Sequence, residues 1–408
     1  MVFKSKIHAM VSIAALAVTI AGSLPFSSPA SAKSGSLAQV SSGIKVTMNG
    51  DEFQPNSAPY IKKGTVYLPL RDIGELLGSV VFWNSSSKTV TMTYPELTVK
   101  LNYGSEKATV NGKAKTLTAP LGLVNGRIYV PLRFLSEATG ADVKWNAKTQ
   151  TVSISQSNEI VKGIGVNSNI WLKRGTGELY IAHPYEQAPV KVGKVDADFK
   201  ELISLNMFMT SNGNMLLTIM DNHGEPHINY DVYGVLVRNN AIVSQKKASY
   251  FQRYEENEIY YQYLDEAKNE YVERTLLTDG RTLSVFDSEG KEVEKYDLPT
   301  LAGKDENYAV LGAGKDYLVV RPNRSGFVTV IDLKNNTKVE MYDKVLTGDD
   351  LDYARNNDVP YHGDILGYLG EDTSTGNLLF SYDSPFDNKP IKVFTYNLKT
   401  GKTGTHSE

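Results

Sequence analysis

The sequence predicts a multi-domain protein. A duplicated α+β unit, with antiparallel sheet packed on helix, is followed by an all-β, propeller-like domain. Three observations carry this. Two segments between residues 44 and 155 match at a constant offset of 62 residues. From about Gly163, short β-type runs alternate with turns at a spacing near 45 residues. The chain of 408 residues holds 24 Tyr, 33 Gly and 41% hydrophobic residues, a mix suited to β-rich cores with many turns.

Taken from the N-terminus, the chain opens with Lys4 and Lys6, an apolar stretch from Ala9 to Ala21, the breaker Gly22-Ser23-Leu24-Pro25 and the small-residue site Ala30-Ser31-Ala32. This order is that of a secretory signal over 1–32, cleaved after Ala32. The apolar stretch falls well short of the roughly 20 residues that span a bilayer, and no later stretch reaches that length. A short linker, 33–43, follows. The chain has no cysteine, which excludes disulfides, thiolate metal sites and a lipidated N-terminal cysteine.

Within 44–156 the repeats are 44–94 and 97–155. Tyr67-Leu68-Pro69-Leu70-Arg71 returns as Tyr129-Val130-Pro131-Leu132-Arg133, and Trp83-Asn84 returns as Trp145-Asn146. Asn49-Gly50, Gly64 and Gly78 return as Asn111-Gly112, Gly126 and Gly140. Each copy reads strand, turn, strand, helix, strand, turn, strand. Proline starts the helix, where its missing N–H costs nothing. Ile73, Leu76 and Leu77 share one helical face, as do Leu135 and Ala138 beside Phe134. Gly78 and Gly140 end the helices. The repeated Trp83 and Trp145 are expected in the sheet–helix core. Arg71 and Arg133 are expected to brace the helix–strand junction.

The pattern Tyr-x-Pro-Leu-Arg, then Leu-Gly or Thr-Gly, then Trp-Asn, then Lys-Thr-Val-x-Met resembles the copper amine oxidase N-terminal (stalk) domain of secreted Bacillota proteins. The resemblance covers residues 44–155. It implies an α+β unit that is non-catalytic in its namesake enzymes.

Residues 157–164 read as a second linker, and 165–408 as the β-rich domain. Its runs include Glu178–Ala182, Met215–Met220, Tyr230–Val237, Thr282–Phe286, Tyr317–Val320, Leu378–Tyr382 and Ile391–Leu398. Hairpins recur at Asp287, Asp332 and Asn397, with a polar insertion at 346–364 and one helical segment at Asp349–Arg355. This rhythm fits five or six propeller blades. A stacked β-sandwich is the alternative.

Charge divides along the chain. Residues 33–156 carry 14 basic and 8 acidic residues, net +6, and residues 157–408 carry 27 and 38, net −11. The basic part suits an anionic wall polymer. The acidic excess and the expected export exclude nucleic acid.

An amine oxidase is excluded. Asn229-Tyr230-Asp231 has Pro226 where its cofactor motif needs Thr, and there is no His-x-His. His223 and His227 flank a turn and are candidates for a loose metal site. Asp349, Asp350 and Asp352, with Asp358 and Asp364, are candidates for a loop-built calcium site, although Ala354 and Arg355 break the EF-hand template. Glu255-Glu256-Asn257-Glu258 reads as a solvated loop. No catalytic residue and no cofactor is assigned. The chain therefore reads as a secreted or surface-associated, non-catalytic binding protein. Its stalk-type part docks on the cell envelope or dimerises, and its β-domain binds a ligand or extracellular protein. The alternative is an extracellular carbohydrate-active enzyme with a carboxylate site in the β-domain.

Overall fold

The computed structural model describes residues 43–405, apart from 118, 359–361 and 387–389. The expected signal, all but the last residue of the first linker, and His406 lie outside these residues. Val40–Glu408 groups as one compact unit. It is mostly β, with seven sheets and five short helices among the described residues. None of these helices is long and apolar enough to cross a membrane.

The first part holds three sheets and two seven-residue helices, α1 (Leu70–Leu76) and α2 (Leu132–Ala138). Pro69 and Pro131 each close a strand and sit at the N-cap, immediately before the first helical residue. Gly78 and Gly140 take φ of 61° and 81°. They close each helix by the same pair of bonds. Gly78 N–H donates to Glu75 O and Ser79 N–H to Gly74 O, while Gly140 and Ala141 donate likewise to Glu137 and Ser136. This is the Schellman pattern, which needs a residue comfortable at positive φ. Asn49, Asn111, Lys63 and Asn125, each before a glycine, also have φ near 50°. That geometry turns tight hairpins.

Strands of the two segments share sheets. Lys45–Met48 pairs in parallel with Thr151–Ser155, with Val46 opposite Val152. Thr65–Pro69 pairs antiparallel with Arg127–Pro131, with Leu68 opposite Val130. The core is accordingly common to both segments. Leu68, Ile73, Leu77 and Met92 pack in one cluster with Val130, Leu135, Val152 and Ile154. Trp83 joins this core, half-buried, with its ring edge-on to Tyr103 at 6.3 Å. Trp145 does not: it is 38% exposed. Its strand, Asp142–Asn146, is the outer strand of its sheet. Val80–Asn84, which carries Trp83, is likewise an outer strand, but Tyr103 sits edge-on to the Trp83 ring, and among the described residues no aromatic ring does this for Trp145.

The later part is a series of antiparallel four-stranded meanders. The first runs Ile160–Gly165, Ser168–Lys173, Glu178–Ala182 and Val190–Lys194. The second runs Leu202–Met209, Met215–His223, Asn229–Arg238 and Ala241–Phe251. The third spans Tyr260–Asp265 to Glu292–Asp297, the fourth Tyr308–Gly314 to Thr337–Glu340, and the fifth Gly367–Asp372 to Thr403–Thr405. The stretch expected as a linker, 157–164, is largely the first of these strands. Its glycines are not turn residues. They let Leu202–Met209 approach in parallel, joining the first two meanders. A Cβ on Gly163 would lie 2.5 Å from Leu205 Cβ.

The recurrent Asp or Asn ends the third strand of a meander and folds its hairpin. Asp287 Oδ1 accepts from the N–H of Glu289 and Lys291. Asp332 Oδ1 accepts from Lys334 and Asn335, and Asn397 Oδ1 from Thr400. A short acceptor that bonds backbone two or three residues on is the reason for these residue types. The polar insertion before the fifth meander holds the helix Gly348–Asn356.

Candidate functional site

The candidate metal ligands do not converge. His223 Nε2 lies 3.4 Å from Asp231 Oδ2 and 3.1 Å from Lys200 Nζ. His227 turns to Glu201 Oε2 at 2.9 Å instead. Asp350 accepts from Ser384 Oγ at 2.5 Å, Tyr382 OH at 3.2 Å and Lys392 Nζ at 3.2 Å. It therefore braces the insertion helix against the fifth meander. Asp358 faces His362, and Asp364 is fully buried against Arg321. Asp349 and Asp352 sit on the same helix as Asp350 without joining it in a cluster. Among the described residues no group of three or more metal-ligating side chains forms. The calcium and His-site expectations are thus replaced by ion pairs.

Asp231 is the centre of one such network. Its Oδ1 accepts from Ser249 Oγ at 2.6 Å, and its Oδ2 faces Lys200 Nζ at 2.9 Å and Lys247 Nζ at 3.0 Å. Burial pushes this carboxyl up, but the bonds from Ser249, Lys200 and Lys247 outweigh it. They hold the group well below its ordinary 3.8. A carboxyl so depressed contributes stability that is present above its ordinary value and is lost as pH falls through the depressed one. Asp231→Asn should therefore lower the melting temperature at pH 7. The gap to wild type should close as melts are repeated toward pH 2. A gap that stays constant with pH would contradict this.

The segment Glu255–Glu258, expected as a solvated loop, is packed. Glu255 pairs with buried Arg321 at 2.9 Å. Asn257 Oδ1 accepts the Val310 N–H at 2.9 Å, and burial raises Glu258.

A groove of about 640 Å³ opens beside α1. That volume falls within the roughly 300–1,000 Å³ of small-ligand sites. Pro69, Leu70, Trp83 and Ile128 give it apolar walls. Asn56 and Ser57 enter from the preceding loop, Arg71 and Asp72 from the first turn of α1, and Arg127 from the Asn125-Gly126 turn. Asp72 is 1% exposed. Its Oδ1 accepts from Asn56 Nδ2 at 2.7 Å, and its Oδ2 has no partner. Arg127 bonds the Ser57 hydroxyl. Arg71 is exposed and does not brace the helix–strand junction. Arg133, its counterpart, pairs with Glu137 on its own helix, at 3.8 Å, with both side chains largely in water.

Both segments line the groove, but the repeat does not reproduce it at the equivalent positions. Sixty-two residues on from Asp72 stands Phe134, and Thr65 stands 62 before Arg127. The equivalent positions thus lack both the carboxylate and the second guanidinium. Asp72, Arg127, Asn56 and Ser57 were not singled out from the sequence. The signal that marks two of them is departure from an otherwise faithful repeat.

Fold and groove together define a β-rich protein with a stalk-type N-terminal part carrying a polar groove. Residues 47–154 match the copper amine oxidase N-terminal domain family, so the resemblance read over 44–155 holds. A "Protease inhibitor" of Brevibacillus choshinensis is 29% identical over 166 residues, covering 39% of this chain. The chain spans about half the length of that relative, 50%. Among solved structures, YCF48 from Cyanidioschyzon merolae is 11% identical, covering 64% of this chain and 84% of its own, with a TM-score of 0.20. Prolyl oligopeptidase B from Galerina marginata is 10% identical, covering 87% and 44%, with a TM-score of 0.27.

Proposed function

We propose that the chain is an exported, non-catalytic binding protein that works at the cell envelope. The observation that carries this reading is the groove beside α1. It combines apolar walls, two guanidiniums and a buried carboxylate oxygen in want of a donor, and holds no nucleophile paired with a base. The N-terminal family supports it, since that domain is non-catalytic in its namesake enzymes. In this reading 44–156 is a duplicated α+β unit that docks on the envelope or dimerises. The five meanders are propeller-like blades that offer a second face to a partner. The cleaved signal at 1–32 supplies the export, and the charge of +6 over 33–156 favours anionic wall polymer.

A second reading takes the name of the Brevibacillus relative as its support, with a protease as the partner. One experiment separates the two. Mature protein, Lys33–Glu408, is mixed with purified Gram-positive cell walls and pelleted at rising salt, and a portion is titrated into a secreted serine protease. Co-sedimentation that weakens with salt, with protease progress curves unaltered, is the expected result. Stoichiometric inhibition without pelleting would replace the first reading by the second.

A further inference from the structure

We propose that the groove beside α1 is a binding site for a carboxylated sugar unit of an anionic polysaccharide. The inference rests on the binding-protein reading and names its ligand class. Four features select that chemistry. Asp72 lines the groove, and its buried Oδ2 has no hydrogen-bond partner. A buried acceptor left unpaired is unfavourable, so the occupant has to bring a donor to it. A sugar hydroxyl does so. Arg71 and Arg127 border the same space, and planar guanidiniums match a carboxylate in two parallel bonds. Trp83 supplies a broad apolar wall, suited to the C–H face of a sugar ring. Asn56 and Ser57 add an amide and a hydroxyl beside the carboxylate, which can exchange bonds with further ring hydroxyls.

Other anions match less of this surface. A polyol phosphate brings charge and hydroxyls but no flat face for the indole. The carboxyl end of a peptide brings a carboxylate but a single backbone N–H where several donors are wanted. A neutral glucan leaves both guanidiniums unpaired. The repeat-equivalent positions are an internal contrast. With Phe134 and Thr65 in place of Asp72 and Arg127, they keep Arg133 and Trp145 without the carboxylate and the second guanidinium.

The test is calorimetric titration of the mature protein with oligogalacturonate. Glycerol-phosphate polymer, oligoglutamate and dextran serve as comparison probes. Oligogalacturonate should bind. The two other polyanions should bind at least about tenfold more weakly, and dextran not at all. Arg71→Ala and Arg127→Ala should each weaken oligogalacturonate by about tenfold or more, while Arg133→Ala leaves it unchanged. Asp72→Asn should lose affinity while its melting temperature holds or rises, because the change removes a buried charge lacking a full complement of donors. A purely structural Asp72 would instead lose melting temperature.

Equal binding of all polyanions, preference for oligoglutamate, or equal losses from Arg71→Ala and Arg133→Ala would overturn the proposal. So would an absence of oligogalacturonate binding. Wall pelleting distinguishes this failure from that of the underlying reading. If wild type pellets but the Arg71→Ala/Arg127→Ala double variant pellets equally, the sugar site is wrong and the envelope reading stands.

Discussion

Arg321→Met is expected to destabilise the protein by about 3–5 kcal/mol, the scale of removing one partner of a buried ion pair. Arg321 is 3% exposed in the strand Tyr317–Pro322. Its Nε faces Glu255, and its Nη1 reaches Asp364 Oδ1 at 2.7 Å. Nη1 also donates to the carbonyls of Gly326 at 2.7 Å and Asp364 at 2.9 Å, and Nη2 to that of Leu366. Arg253 donates to the same Gly326 and Asp364 carbonyls, at 3.0 and 3.2 Å. Asp364 has no exposed surface, and its second oxygen accepts the Val328 N–H at 2.9 Å. The network therefore ties the segment after the second meander, the fourth meander and the entry to the fifth. Backbone approach at its centre is too close for side chains. A Cβ on Gly326 would sit 2.1 Å from His362 O, and one on Gly363 would sit 2.5 Å from Gly326 C.

Methionine keeps most of the volume but strands the Asp364 carboxylate in the interior and takes one donor from each of three carbonyls. Removal of one partner of a buried pair is far more costly than the net worth of the pair, because the other charge stays buried. Glu255→Gln should cost much less, since Glu255 is partly exposed and its replacement still accepts a bond from Arg321. Denaturant midpoints of the two variants check this ordering. A loss below about 1 kcal/mol for Arg321→Met, the scale of an exposed pair, would show that water reaches the network.

What the sequence revealed follows burial. Strands buried on both faces, such as Glu178–Ala182 and Thr282–Phe286, have the ends their apolar runs predict. Outer strands escaped notice because both faces are wet: Glu292–Asp297 and Thr403–Thr405 are polar and mostly or wholly exposed. The hairpin rhythm at Asp287, Asp332 and Asn397 was legible because a local side-chain-to-backbone bond fixes each residue type. Tertiary partners left no such mark. Nothing near Glu255 points to Arg321, which is 66 residues away in sequence. The repeat identified Pro69, Arg71 and Trp83 but directed attention to what the copies share. The groove depends on what they do not share, Asp72 and Arg127. Trp145 differs from Trp83 for the same reason: Tyr103 meets the Trp83 ring, and 62 residues on from Tyr103 stands Gly165.

Trp171→Ala is expected to be the largest packing loss, about 3–5 kcal/mol, and to act on both parts of the chain at once. Trp171 is 0% exposed in the first meander. It packs in a cluster with Tyr180 and Ala182 of its own sheet and with Val80 and Tyr94 of the N-terminal part. Its Nε1 donates to Gly78 O at 2.8 Å. Gly78 is the left-handed residue that ends α1, so the carbonyl just past the helix finds its donor in the neighbouring sheet. Glu96 reinforces the junction by accepting from Tyr180 OH at 2.8 Å and Lys173 Nζ at 3.0 Å. Those two bonds lie on the more exposed rim and are worth correspondingly less. Trp171→Phe isolates the polar contribution. It fills most of the space but leaves Gly78 O without its indole donor, at a cost of about 1–3 kcal/mol. Hydrogen exchange would read where the loss falls. In Trp171→Ala, protection should drop along Val80–Asn84 and Thr89–Tyr94 as well as in the first meander. It should hold in the fifth, which shares no core cluster with Trp171. Loss confined to the first meander would mean that the N-terminal part keeps its stability without this contact, and the coupling argued from Gly78 would fail.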